Sequence, residues 1–311
     1  MTNNAVEVSS PGRVASGLVS SVPALSIHRR KRRPGDAVLL GLIVLCAGLT
    51  VLILAAMLVY IVLKGLPQIS WTFLSSKPSV LNGTIGILPS IINTLYIVVI
   101  TLLIVTPIGV GAAIYLNEYA KKGKLVKIIE FTTETLSGIP SIIYGLFGAV
   151  FFGVYLHLGY SILTGALTLT LMTLPIIVRT TQEALKTVPE SYREGALGIG
   201  ATKWYMIRTI ILPSSLPGIV TAVILSIGRI VAESAALIFT AGIATNLPTG
   251  LFSHTLKSGS TLTVELYQYA ANRGDNNTAF GIALVLIVVV LIINLSTKLV
   301  SSRLQKKTKR D

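Results

Sequence analysis

The 311-residue sequence is 52% hydrophobic and only 12% charged, and its formal net charge is +14 at pH 7. Since a soluble domain carries about 25% charged residues, this composition excludes an ordinary soluble protein and favours a chain that crosses a bilayer in apolar runs of roughly 20 residues. Cys46 is the only cysteine and lies inside an apolar run, which excludes an intrachain disulfide or a CxxC metal site.

The N-terminal segment, residues 1–34, shows no hydrophobic period and ends in a basic cluster from Arg29 to Arg33. We expect it to be a disordered basic cytoplasmic tail. The apolar run from Ala37 to Leu63 is 27 residues long, whereas the apolar region of a signal peptide has about 7–15 residues. Residues 35–64 are therefore predicted to form the first transmembrane helix.

Further apolar runs predict five more spans, and so an all-α integral membrane protein with six transmembrane helices. Pro140 and the glycines near it, including Gly145 and Gly148, predict a bend and close helix contacts in the third span. The five spans form a core over residues 87–300, followed by a basic cytoplasmic tail over 301–311. Their approximate limits are Ile87–Leu116, Phe131–Leu156, Tyr160–Val178, Leu216–Ala244 and Ala279–Leu299.

The distribution of Lys and Arg predicts the orientation of these spans. The two tails and the two loops that would share their side carry 20 of these residues, and the three opposite loops carry 4. Because cytoplasmic loops are enriched in Lys and Arg, both termini are predicted to be cytoplasmic. The charge is assigned to membrane lipid and topology, with no nucleic acid as a partner.

Between the fourth and fifth spans lies a polar stretch with helix signals, residues 183–213. Pro189 is typical of a helix start, and Gly198 and Gly200 of a helix end. Thr202 is a suitable N-cap for a second helix, which Pro213 is expected to end or kink. The stretch is therefore predicted to be a cytoplasmic helix–turn–helix, with an ordinary loop as the alternative.

Four ionisable residues fall inside predicted spans, where a charge usually faces a partner or a water-filled path. Arg229 and Glu233 lie one helical turn apart near the middle of the fifth span, so they can pair, either as a structural ion pair or beside an anion path, since a guanidinium suits oxyanions. Arg179 ends the fourth span and can snorkel to the interface. Glu134 is expected in the first turn of the third span, exposed at the interface.

Two other features bear on function. The amphipathic piece LTVELYQYAAN, residues 262–272, is expected to lie flat at the outer surface, where it could dock a partner. The enzyme signatures GxSxG, HExxH and GxxxxGK[ST] are absent from the sequence. An intramembrane enzyme is therefore not favoured.

The polar stretch resembles the EAA loop of the permeases of binding-protein-dependent ABC transporters. The matching residues are Glu194, Gly195, Ala196, Gly200, Ile210, Leu212 and Pro213. The family usually has Ala where this chain has Gly195, a mild departure between small residues. The resemblance implies a type I ABC importer permease fold with a MetI-like core, and a loop that docks in a groove of the ATPase subunit. It also implies a location in the cytoplasmic (inner) membrane of a bacterium or archaeon.

A closer resemblance is to the A-type permease subunit of phosphate ABC importers, the PstA family. It rests on YLNEYA, PSIIYGLFG, PIIVRTT and SIGRIVAESAALIFTAG, and covers residues 35–300. It implies a phosphate path at Arg179, Arg229 and Glu233. It also implies a PstC-like second permease, a homodimeric PstB-like ATPase that holds ATP and Mg²⁺, and an extracytoplasmic PstS-like phosphate-binding protein. No cofactor, metal or catalytic residue is expected on this chain.

Two alternatives to a phosphate permease stay open at this point. One is a permease for another oxyanion, sulfate or molybdate, because one arginine in a span does not specify the anion. The other is an ATP-independent channel or secondary carrier, although the inverted repeats typical of many carriers are not evident.

Overall fold

The computed structural model of the protein describes residues 34–79, 83–121, 123–247, 250 and 252–308. Within these ranges the secondary structure is helical, apart from one isolated antiparallel bridge between Ser79 and Thr84. The predicted disordered tail, residues 1–34, lies outside the described residues except for Pro34, where the first helix begins.

The helices differ greatly in length, and several continue directly into a π-helical turn. Such turns follow α3 (Tyr115–Tyr119), α5 (Ala149–Tyr155), α8 (Ile207–Ile211) and α11 (Gln268–Asn272). In chain order the helices are α1 (Pro34–Gly65), α2 (Trp71–Ser75), α3 (Leu88–Ile114), α4 (Lys124–Ser137), α5 (Ser141–Gly148), α6 (Ile162–Lys186), α7 (Glu190–Gly198), α8 (Lys203–Met206), α9 (Leu212–Val231), α10 (Ala235–Thr240), α11 (Leu262–Tyr267) and α12 (Asn276–Thr308).

By its internal contacts the chain divides into two units after Ala55. The first unit holds the N-terminal part of α1, where the large apolar side chains from Val38 to Leu54 are exposed. A helix that is apolar all round is typical of a membrane span. The second unit starts at Ala56 and holds all the other elements.

Five described helical segments are long and apolar enough to cross a membrane. They are Val38–Gln68, Leu88–Tyr119, Ile162–Lys186, Lys203–Val231 and Asn276–Arg303. The pair Lys124–Ser137 and Ser141–Tyr155 is bent by 100° at its break, and it supplies a sixth crossing if it is one span. The structure therefore confirms an all-α, multi-pass membrane protein with five to six crossings.

The third predicted span differs from the single helix Phe131–Leu156. Its helix starts earlier, at Lys124, and the chain turns sharply between Ser137 and Ser141. Pro140 explains this turn, because its ring disfavours helical conformation in the residue before it. The bend and the close contacts are confirmed: a Cβ on Gly145 would lie 2.7 Å from the Cα of Ala236.

The fifth predicted span, Leu216–Ala244, is wrong at both ends. The helix is continuous from Lys203 to Val231, so Pro213 does not end it. A π-helical turn precedes this proline, which lies in the first turn of α9, and the first turn is where a missing N–H matters least. At the other end the helix stops thirteen residues early, and a short break leads to α10.

The main core forms where α6 packs against α3, α5, α9 and α10. Its fully buried members include Ile97, Leu169, Ile227 and Leu237. Gly109 of α3 lets α3 approach α6, because a Cβ there would lie 2.6 Å from Cγ2 of Ile177. Small residues at such crossings are typical of membrane helix packing.

A second core lies at the loop that contains α11 and joins α2, α11 and α12. Leu262 and Ile282 are fully buried in it, together with Tyr269 and Phe73. The prediction that residues 262–272 lie flat at the surface is therefore wrong. In α11 the three residues that follow Leu262 are buried as well, so this segment contributes to the fold.

Candidate functional site

The polar stretch between α6 and α9 forms the predicted helix–turn–helix, which we name the coupling segment, residues 187–213. α7 begins directly after Pro189, and Glu190 occupies its first turn, where the helix dipole favours an acidic residue. Gly200 takes a φ of +84°, a conformation that glycine adopts at little cost. The Thr202 hydroxyl accepts a hydrogen bond from the Tyr205 N–H at 3.3 Å and so caps α8.

One face of the coupling segment packs on the ends of α3 and α6. Ala196 is buried there in a cluster that includes Leu185, Met206 and Ile211. Glu194 and Gly195, which precede Ala196 in α7, are exposed instead. Of the other predicted coupling residues, Gly200 lies in the turn between the helices, Ile210 in the π-helical turn, and Leu212 and Pro213 at the start of α9.

The opposite face of the coupling segment exposes large apolar side chains. Ile199 is 86% exposed and Trp204 60% exposed, and the side chains of Tyr192, Leu197 and Tyr205 are exposed beside them. Several large apolar side chains exposed on one short polar segment are typical of a protein–protein contact.

Arg193 connects the coupling segment to the helices behind it. Its Nη2 donates to Glu118 Oε1 at 3.0 Å and to the Leu185 carbonyl at 2.9 Å. Its Nη1 donates to the Val188 carbonyl at 2.8 Å and to Glu190 Oε2 at 3.2 Å. The Arg193 and Glu118 side chains are only 12% and 4% exposed. We call this arrangement the Arg193 junction.

The acidic partner in this junction is turned inward by the π-helical turn that ends α3. That turn, Tyr115–Tyr119, carries Glu118, and the Asn117 amide donates to Glu118 Oε1 at 2.7 Å. The sequence did not predict this junction, because Arg193 entered the argument only as one of the Lys and Arg residues that indicate orientation. The signal that could have indicated it is Glu118, in the stretch YLNEYA at the end of an apolar span, because a carboxylate there needs a cation nearby.

Arg229 and Glu233 meet at the other end of the same long helix. Arg229 lies in the last turn of α9, so its predicted position near the middle of a span is wrong. Its Nη2 is 3.9 Å from Glu233 Oε2 and 3.8 Å from the sulfur of Met172. The arginine side chain is 46% exposed, whereas the glutamate side chain is 5% exposed.

Glu233 is held by the break between α9 and α10. Its Oε1 accepts the N–H of Ala236 at 3.1 Å, and its backbone carbonyl accepts from the Thr263 hydroxyl at 2.9 Å. The carboxylate is therefore fixed while the arginine partly faces solvent. A guanidinium with free donors and a weak partner can bind an oxyanion.

Arg179 lies apart from this pair. Its Nε is 3.1 Å from Glu183 Oε1, and both side chains are more than half exposed. It lines a polar pocket of about 330 Å³ together with Glu134. Met172, which contacts Arg229, precedes Arg179 by seven residues, about 10 Å along α6. Glu134 is near the end of α4, so its predicted place in the first turn of the span is wrong.

A chain of buried polar side chains secures the loop between α10 and α12 to α3. The imidazole Nε2 of His254 lies 2.7 Å from Asn93 Oδ1, and the Asn93 amide donates to the Ser260 carbonyl at 3.2 Å. The Ser260 hydroxyl donates to Glu265 Oε2 at 3.0 Å. Burial is the main cause that raises the pKa of Glu265 and lowers the pKa of His254.

The fold and the coupling segment define a membrane component of a transporter, and a family match agrees. Residues 105–310 match the family described as the binding-protein-dependent transport system inner membrane component. The chain belongs to this family.

Individual relatives match over nearly the whole chain. The chain is 34% identical to a probable ABC transporter permease protein YqgI of Bacillus subtilis, over 89% of this chain and 98% of the relative. It is also 34% identical to the phosphate transport system permease protein PstA of Haemophilus influenzae, over 86% and 94% of the two chains.

Solved structures share the fold at low sequence identity. A chain of a bacterial alginate ABC transporter, solved in complex with an alginate-bound periplasmic protein, aligns with a TM-score of 0.65 at 18% identity, over 88% of this chain and 96% of that chain. A chain of the MetNI methionine ABC transporter aligns with a TM-score of 0.52 at 20% identity, over 72% and 94%.

Proposed function

We propose that this protein is the permease subunit of an ATP-driven importer of inorganic phosphate, in which it forms half of the transmembrane pathway. The observation that carries the proposal is one uninterrupted helix, Lys203–Val231. This helix has the coupling segment at its first end and the Arg229–Glu233 pair in and just after its last turn. The phosphate transport permease among its relatives supports phosphate as the substrate.

The exposed apolar face of the coupling segment is the docking surface for a separate, homodimeric PstB-like ATPase. ATP and Mg²⁺ bind to that ATPase, and this chain binds no cofactor of its own. Glu194, Gly195 and Ala196 belong to α7, and the exposed Ile199 after it and Trp204 of α8 fill the ATPase groove. Closure of the ATPases moves the coupling segment, and the motion reaches α3 and α6 through the Arg193 junction.

The substrate passes Arg229, whose half-exposed guanidinium replaces part of the hydration that the anion loses in a low-dielectric path. Glu233 stays within 3.9 Å and competes for the guanidinium, so the anion is released again. Arg179 contributes a second positive charge on the route, about two turns of α6 nearer to the coupling segment. The pathway itself runs between this chain and a PstC-like second permease.

The excess of Lys and Arg in the tails and in the loop of the coupling segment supports a cytoplasmic location for these parts. Both termini then face the cytoplasm, and the outer loop that contains α11 faces the opposite side. That loop is the docking place for an extracytoplasmic PstS-like phosphate-binding protein.

The test is uptake of radiolabelled phosphate and of radiolabelled sulfate by the complete complex in proteoliposomes with ATP. ATP-dependent phosphate uptake that requires the binding protein supports the proposal. Preferential sulfate uptake would reassign the substrate, and phosphate uptake without the ATPase would show a channel or secondary carrier instead.

A further inference from the structure

A basic pocket lies beside the coupling segment, between the ends of α3 and α6 and the start of α4. It has a volume of about 620 Å³ and is distinct from the Arg229–Glu233 pair. The polar side chains that line it are those of Asn117, Lys124, Lys127, Glu130, Gln182 and Lys186. We call this cavity the basic pocket.

The charges around the basic pocket are not balanced. Among the described residues, three lysines line it against one carboxylate, Glu130. Among the residues that the structure describes, no carboxylate lies within ion-pair distance of Lys124, Lys127 or Lys186. Like charges that share a cavity repel each other unless an anion lies between them.

The start of α4 adds to this positive field. Gly123 precedes the 14-residue helix and supplies no side-chain cap, and Lys124 and Lys127 occupy its first turn. The helix dipole is positive at this end, so cations are disfavoured there and anions are favoured. Backbone N–H groups at a helix start are also ready donors for a phosphate group.

Gln182 of α6 adds an uncharged donor to the basic pocket. The residue is 4% exposed and lines the pocket. Within the described part of the chain, its amide has no hydrogen-bond partner. An amide that is unpaired in the wall of a cavity is available to donate to a ligand there.

We propose that the basic pocket binds a phosphate group. Ammonium groups, a backbone helix start and an amide N–H are all donors, which match the acceptor oxygens of a phosphate. The group has two possible sources: free inorganic phosphate, or the headgroup of an anionic phospholipid. Leu116 lines both the basic pocket and a neighbouring apolar cavity of about 460 Å³, which would hold an acyl chain in the second case.

The first arm of the test measures free phosphate. The complex of the two permeases and the ATPase, without the phosphate-binding protein and carrying Arg229→Gln, which silences the proposed transport path, is placed in nanodiscs of phosphatidylcholine and titrated with radiolabelled inorganic phosphate. Replacing Lys124, Lys127 and Lys186 together by Gln is expected to weaken binding at least about tenfold, because charge-assisted hydrogen bonds are lost. The matched control is Lys298→Gln, an exposed lysine of α12, which leaves binding unchanged.

The second arm measures lipid. The same variants are purified from membranes that contain phosphatidylglycerol, and the retained lipid is counted by native mass spectrometry. If the source is a headgroup, the control retains phosphatidylglycerol and the triple variant loses it. Gln182→Met, which keeps all charges, is expected to weaken binding in whichever arm is positive, and it decides the matter if the triple variant does not assemble.

A positive first arm assigns free phosphate, and a positive second arm assigns a lipid headgroup. Equal binding by the control, the triple variant and Gln182→Met in both arms would overturn the proposal. Neither arm requires transport, so the basic pocket can fail while the proposed importer function stands, and the reverse is also possible.

Discussion

Two arginine–glutamate pairs lie towards opposite ends of the helix Lys203–Val231, and they are built differently. Arg193 binds Glu118 at 3.0 Å, has two backbone carbonyls as further partners, and is nearly buried. Arg229 reaches Glu233 at only 3.9 Å and is half exposed. The first pair is suited to transmit force without breaking, and the second is suited to exchange its partner for a passing anion.

The largest expected effect comes from removing only the arginine of the first pair, Arg193. Arg193→Ala leaves Glu118 buried without a cation, which costs about 3–5 kcal/mol in comparable pairs. We therefore expect a strongly lowered melting temperature of the purified complex, measured by scanning fluorimetry. Replacing both Arg193 and Glu118 by Met should recover much of the lost melting temperature, since no buried charge then remains in the pair.

The exposed pair of Arg179 and Glu183 is the matched control for this experiment. An exposed ion pair contributes about 0–1 kcal/mol, so Arg179→Ala should change the melting temperature little. Equal losses for Arg193→Ala and Arg179→Ala would show that the Arg193 junction is no stronger than a surface pair.

The second pair is tested by Arg229→Gln. This change removes the charge that offsets dehydration of the anion, and we expect phosphate uptake to fall at least about a hundredfold, the scale of 2–3 kcal/mol. Assembly with the partner subunits should persist, because the arginine is half exposed. Arg208→Gln, an exposed arginine on the same helix, is the control; normal uptake by Arg229→Gln would remove the pair from the pathway.

Gly200→Val tests the link between the two pairs. A side chain at φ +84° costs roughly 1–2 kcal/mol, even though nothing lies within 4 Å of the site. We expect ATP hydrolysis to continue with less phosphate transported per ATP. Gly198→Val, where the space is equally open and φ is not positive, should keep the ratio of the wild type.

The smallest expected effect is a pH dependence of stability that comes from Glu265, in the loop that contains α11. Burial raises the pKa of Glu265 above its ordinary value of 4.5. The folded form therefore holds its proton more tightly than the unfolded form, and this stabilisation is full below pH 4.5 and is lost as pH rises through the raised pKa. Glu265→Gln should thus gain stability relative to the wild type as pH rises. Parallel melting curves across pH would contradict this.

The sequence was sufficient for the class of fold, because unbroken apolar runs have few alternatives to membrane helices. It also located the cap at Thr202 and the turn at Gly200, since both follow from local backbone preferences. The sequence did not predict that the helix continues through Pro213 or that it ends at Val231. The π-helical turn before Pro213 and the short break after Val231 depend on packing with α6 and α10.

The candidate site was predicted less completely than the fold. The spacing of Arg229 and Glu233 was enough to predict their pairing, since i and i+4 share a helix face. The partner of Arg193, Glu118, is 75 residues away in the chain. No local pattern specifies such a contact, so only the packing of α7 against the end of α3 reveals it.

The uninterrupted helix from Lys203 to Val231 has 29 residues, so its length is about 43 Å at 1.5 Å per residue. A rotation of this helix about one end therefore moves its other end by an amount that its length determines. Tilted about its first end by about 5°, it displaces its last turn by about 4 Å. That displacement is as large as the 3.9 Å separation of Arg229 and Glu233, so a small rotation at the coupling segment is enough to shift the far end of the helix by the length of one ionic contact.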